Sequence, residues 1–88
     1  MLAHTKEIRS DGAIVEVVVW ELLEPLSPST HSFKYRLYYG ADNVSRVRYD
    51  NERGKGDHRH IGEMQEEYTF TTIDKLFDDF ERDIADWG

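Results

Sequence analysis

Ser32-Phe-Lys-Tyr-Arg-Leu-Tyr-Tyr39, Gly40-Ala-Asp-Asn43 and Val44-Ser-Arg-Val-Arg-Tyr-Asp50 follow one another without a break, and their reading decides the fold. The first run alternates strictly, with Phe33, Tyr35, Leu37 and Tyr39 on one side and Lys34, Arg36 and Tyr38 on the other. The middle run is turn chemistry, since Gly and Asn tolerate positive φ. The third run returns with the same period, setting Val47 and Tyr49 against Arg46, Arg48 and Asp50. Antiparallel pairing keeps like faces together, so the apolar rows meet and the polar rows meet. A hairpin with one aromatic face and one face of Lys34, Arg36, Arg46 and Arg48 is predicted.

Upstream, Ala13-Ile-Val-Glu-Val-Val-Val-Trp-Glu-Leu-Leu23 is rich in β-branched residues and lies between Asp11-Gly12 and Pro25 and Pro28. Both of its faces are largely apolar, which predicts a central strand. Trp20 covers its outer face, and Glu24–Thr30 reads as a loop. Downstream, Asn51–Gly62 holds Gly54, Gly56 and Gly62 and reads as a wide polar hairpin loop. Glu67-Tyr-Thr-Phe-Thr71 resumes alternation. Ile73, Leu76, Phe77, Phe80, Ile84 and Trp87 then form a stripe at helical spacing, with Thr71 as N-cap, Asp74 three residues on, and acidic residues over the rest. These elements predict an α+β, two-layer fold: a mainly antiparallel four-stranded sheet with one C-terminal helix on its aromatic face. The other, cationic face is left open.

The chain has 88 residues, enough for one domain over 1–88 with a small core, which a homodimer or a bound partner would help to stabilise. No apolar run is long enough to span a membrane, and Met1–Gly12 has no signal-peptide core. The absence of cysteine excludes disulfides, zinc fingers and thiol catalysis, and fits a cytoplasmic setting. The formal charge of −7 argues against a generic nucleic-acid coat protein. That charge is unevenly divided: residues 31–62 carry seven Lys and Arg against four Asp and Glu, while the rest carries four against fourteen. Such a dipole can steer an anion to one face.

The positive segment also holds Gly54-Lys-Gly-Asp-His-Arg-His60, with half the histidines of the chain. Three readings of it compete. In a ribonuclease-like site, His58 and His60 are general base and acid near neutral pH. Asp57 orients an imidazole there, and Lys55, Arg46 and Arg48 neutralise charge on the phosphate. In a metal-dependent hydrolase, His58 and His60 are two ligands and His31, Asp50 or Glu63 completes the shell. In a structural or simple binding role, the loop is polar surface and the cationic face docks an acidic partner. Gly54-Lys-Gly56 does not match a P-loop, whose spacing is longer. Arg36, Lys34 and Arg59 add positive charge for a nucleic-acid backbone, and Tyr38 on the cationic row can stack on a base. Tyr49 and Trp87 read as core.

Tyr35-Arg-Leu-Tyr-Tyr39, Val47-Arg-Tyr-Asp-Asn51, Gly54-Lys-Gly-Asp-His-Arg-His60, Glu66-Glu-Tyr-Thr-Phe70 and a terminal helix opening near Leu76 resemble the TumE-like family. Its members are small toxins of bacterial and archaeal toxin–antitoxin modules, usually encoded beside a helix-turn-helix antitoxin. The resemblance covers residues 33–84. It implies a toxin, neutralised by a cognate antitoxin protein and arresting growth through RNA. No cofactor is expected. It carries no catalytic assignment.

Overall fold

A computed structural model describes residues 2–87. Six strands precede one helix: β1 (Ala3–Ile8), β2 (Ile14–Glu21), β3 (Phe33–Ala41), β4 (Val44–Glu52), β5 (Gly56–Ile61), β6 (Met64–Glu67) and α1 (Ile73–Trp87). The strands form one antiparallel meander in chain order. The α+β class and the C-terminal helix on one face are as expected, but the sheet has six strands rather than four. The two extra strands are β1, at the sheet edge, and β5, inside the segment expected to be a loop. The last strand also moves back, to Met64–Glu67, and the chain from Tyr68 to Thr72 is irregular.

The β3–β4 hairpin closes on Asp42 and Asn43, whose φ angles of 54° and 63° make the mirror-image turn that matches strand twist. Gly40 is needed beside it for a different reason. A Cβ there would stand 2.5 Å from the Val44 carbonyl oxygen and overlap the Tyr38 ring. Gly40→Ala is therefore expected to cost about 1–3 kcal/mol through overpacking. That loss reads as about 4–8 °C in Tm for each kcal/mol in thermal unfolding.

Helix α1 begins one residue later than expected. Thr72, not Thr71, is the N-cap: its Oγ1 accepts from the Lys75 amide at 3.1 Å, and its carbonyl takes the Leu76 amide. The core lies between sheet and helix, with Val19, Tyr35, Leu37, Tyr39, Val47 and Tyr49 facing Leu76, Phe80 and Ile84. Trp87 falls outside it, 42% exposed, with its ring against Gly62. Two aspartates are inside instead. Asp79 and Asp83 are each 5% exposed, although acidic residues were expected to lie on the solvent side of the helix.

The helix packs chiefly on β4. Among the described residues the sheet face away from it carries no second layer, as expected, and this decides which side chains a ligand can reach.

Candidate functional site

On the open face, strand pairing sets side chains in rows. One row runs Val18, Arg36, Asp50, His58, Glu67, and the next Glu16, Tyr38, Arg48, His60, Gln65. Lys34 lies across from Trp20. Of the residues expected to act together, the structure thus gathers His58, His60, Arg48, Arg36, Lys34 and Tyr38 on one surface. The face is not simply cationic, because Glu16, Asp50 and Glu52 line the same shallow cavity as Lys34, Arg36 and Arg48.

Arg48 is the hub. Its Nη2 lies 3.1 Å from His60 Nε2, and its Nε lies 3.2 Å from Asp50 Oδ2. Since a guanidinium only donates, His60 must accept through Nε2, which leaves its proton on Nδ1. Burial and the Arg48 charge hold the imidazole below the ordinary value of 6.5, against a weaker upward pull from Asp50. His60 is therefore a neutral base at neutral pH. The Arg36 guanidinium sits 5.6 Å from the centre of the Tyr38 ring, a cation–π contact.

His58 is placed differently. Its Nε2 donates to the Lys55 carbonyl at 2.7 Å, and its Nδ1 is buried without a partner. Its ring centre is 6.5 Å from that of His60. The two imidazoles share a face, but in this arrangement neither nitrogen of His58 is presented to a ligand.

Four expected residues lie elsewhere. Because β5 is a strand, Asp57 and Arg59 point to the opposite face from His58 and His60. Asp57 cannot orient either histidine from there. Arg59 is not free for phosphate: its Nε and Nη2 grip Asp83 at 2.7 Å each, and its Nη1 reaches Glu66. Arg46 is turned away by a β-bulge. Tyr39 pairs with Val47 but Gly40 pairs with Ser45, which leaves Arg46 as an extra residue on β4. It donates to the Tyr39 hydroxyl at 2.9 Å and lines a cavity with Glu81 and Trp87 on the helix side. Lys55 stands in the β4–β5 turn, mostly exposed and 3.5 Å from Glu52.

Asp57 instead anchors a cluster that sequence reading did not assemble. It accepts from the Ser29 hydroxyl, from His31 Nε2 at 2.7 Å and from the Tyr35 hydroxyl at 2.7 Å. His31 stacks on Phe70 at 3.9 Å between ring centres, and its Nδ1 takes the Phe33 amide at 3.2 Å. Burial, then the bond to Asp57, pushes the Tyr35 hydroxyl well above the ordinary tyrosine range, so it stays a donor. Every polar atom named here has a partner, which makes this a lock on the loop between β2 and β3. One signal was available: Tyr35, on the core face, needs an acceptor for its hydroxyl.

A metal shell does not assemble around the His58/His60 pair. His31 is committed to Asp57 across the sheet, and Glu63 lies in the β5–β6 turn. Among the described residues no three His, Asp or Glu side chains are grouped to hold a metal ion. No helix among them is long and apolar enough to cross a membrane.

The family model described as Toxin TumE matches residues 2–88. That span takes in the strands upstream of residue 33 as well as the segment in which the resemblance is legible by eye. No curated protein and no solved structure matches the chain.

Proposed function

The chain belongs to the TumE toxin family and is on that ground the toxin of a toxin–antitoxin pair; we propose that it acts on RNA through the open sheet face, with Arg48 and His60 at the centre. The observation that carries this reading is the contact between the Arg48 guanidinium and His60 Nε2 on a face that no other element covers. A phosphate arriving there competes for Arg48, because a charged acceptor binds a guanidinium more strongly than a neutral imidazole does. Drawing Arg48 onto the phosphate frees the lone pair of His60 Nε2.

That nitrogen then takes the proton of a ribose 2′-hydroxyl. The 2′-oxygen bonds to phosphorus, the bond from phosphorus to the 5′-oxygen breaks, and the departing oxygen takes a proton from water. Arg48 stabilises the charge that builds on the phosphoryl oxygens. Arg36 and Lys34 hold the flanking backbone, and Tyr38 offers a ring to a base. The general-acid role expected of His58 requires its ring to leave the Lys55 carbonyl. The partner is a cognate antitoxin, of helix-turn-helix type if the neighbouring gene encodes one.

A second reading has its own support. Glu16, Asp50 and Glu52 interleave with the cations, a mixed pattern better matched to a protein surface than to a polyanion. On that reading the face docks a protein and cleaves nothing.

Expression of an Arg36→Ala/Arg48→Ala variant in cells lacking the antitoxin tests between them. Growth arrest should be lost and cellular RNA should stay intact. With purified protein, the dependence of RNA affinity on salt should weaken by about 0.7 in slope for each phosphate contact removed. Growth arrest by wild type with intact RNA and no RNA binding would instead favour protein docking.

A further inference from the structure

The sheet is wider than its cover. Six strands spaced about 4.8 Å apart span roughly 24 Å, whereas one helix is about 10 Å across. Helix α1 lies chiefly over β4, so the helix-side face of β1 and β2 is left bare at its margin. There Thr5, Glu7, Val15 and Val17 form one wall of a groove, and Phe77 and Glu81 contribute to the other. Val15, Val17 and Phe77 are half-buried apolar side chains at the edge of the core.

The charge around this groove is mainly acidic. Asp74, Asp78 and Glu81 recur at helical spacing along the flank of α1 that carries Phe77, and all three are exposed. The helix cations do not compensate them, since Lys75 and Arg82 both turn to Asp79 on the other flank. Among the described residues no ion pair reaches Asp74, Asp78 or Glu81. Glu7 adds a fourth carboxylate from β1, against one cation in the groove lining, Arg9, whose guanidinium lies over the Tyr39 ring.

We propose that this groove is the antitoxin-docking surface, and that it takes an amphipathic helix of the antitoxin with an apolar face and flanking Lys or Arg residues. A second helix beside α1 would complete the layer over β1 and β2, cover Val15, Val17 and Phe77, and neutralise the acidic flank. The inference rests on membership of a toxin family with a cognate antitoxin and not on action upon RNA. Toxin and antitoxin surfaces then lie on opposite faces of one sheet.

The test uses the full-length toxin and the purified product of the neighbouring antitoxin gene in isothermal titration. Asp78→Lys/Glu81→Lys and, separately, Thr5→Arg alter exposed residues. Each should weaken binding about tenfold or more, with wild-type circular dichroism and growth arrest in antitoxin-free cells. Arg48→Ala on the opposite face should bind as wild type does, and co-expressed antitoxin should fail to rescue cells from the Asp78→Lys/Glu81→Lys toxin. Wild-type affinity in both groove variants overturns the proposal, as does loss of binding only in Arg48→Ala. A toxin homodimer that the groove variants dissociate, with antitoxin affinity unchanged, overturns it equally.

Discussion

Asp83→Ala is expected to remove about 3–5 kcal/mol of stability, the cost of taking from a half-buried cation its buried partner. Asp83 is 5% exposed and is held between two elements of the sheet: Arg59 of β5 grips both its oxygens, and the Tyr49 hydroxyl of β4 donates to one of them. Burial alone would raise the Asp83 carboxyl, but the bonds from Arg59 and Tyr49 outweigh it and hold the group below 3.8. Removal of the carboxylate takes two of the three bonds of the Arg59 guanidinium, leaving it only the more exposed Glu66, and leaves the buried Tyr49 hydroxyl without an acceptor. A domain of this size has about 5–10 kcal/mol in total, so the variant should lose about a third or more of its margin. Urea unfolding measures it, with the midpoint falling and the m-value unchanged. A pH series supplies the sign. Because the folded value is depressed, the contribution is complete above pH 3.8 and is lost as pH falls through the folded value. The variant should therefore differ least from wild type in acid. A difference that persists undiminished in acid would mean that packing, not charge, accounts for the loss. Arg59→Leu tests the other half, and its effect should fall well short of adding to that of Asp83→Ala, since both break one network.

The same network marks where sequence reading stopped. Alternation in residues 32–50 places Tyr35, Leu37, Tyr39, Val47 and Tyr49 in the core because period-2 patterning is a local property of the chain. Nothing local announces that Asp79 and Asp83 are buried, since their partners are Tyr49 and Arg59 of the sheet and Tyr68 of the irregular segment after it. The polar tips of core-facing tyrosines were the available sign that acceptors had to be found on the helix. Strand β1, Ala-His-Thr-Lys-Glu-Ile, has no apolar period because it is an edge strand that buries little. Strand β5 was masked by its glycines. Gly54, with φ of 84°, lies in a tight turn, and Gly56, with φ of 80°, opens the strand, so neither marks a wider loop.

Parity errors follow from such missing elements. Once residues 56–61 are a strand, neighbouring side chains part to opposite faces, so Asp57 leaves the histidines and joins His31. Arg46 fails for a related reason. Its place in the alternation is correct, but one extra residue in β4 turns it to the other side, and a bulge leaves no trace in a hydrophobic pattern. What survives is the set of Lys34, Arg36, Tyr38 and Arg48, which the β3–β4 hairpin determines, with His58 and His60 on the same face because residues two apart in a strand share it.

That set yields the second large effect. His60→Asn is expected to slow RNA turnover about 10²–10⁴-fold, the usual scale for a lost general base, while RNA affinity changes little. The asymmetry follows from the division of labour proposed above, with Arg48, Arg36 and Lys34 binding and His60 Nε2 taking the proton. The pH profile distinguishes this from loss of structure. Burial and Arg48 keep the His60 imidazole below 6.5, with Asp50 and Glu52 pulling upward and His58 downward. A base of that kind is active when deprotonated, so turnover should be level through neutral pH and fall only on the acid side of 6.5. In Arg48→Ala the residual activity should lose rate at a higher pH than wild type, because the cation that depresses the imidazole is gone. In Asp50→Asn the acid limb should move the other way. A merely structural histidine would shift the overall rate and leave both limbs in place. If His60→Asn turns RNA over at the wild-type rate, the base lies elsewhere. If wild type turns over no RNA at all, the Arg48–His60 contact serves a docking surface, and its charges are to be read against a protein partner.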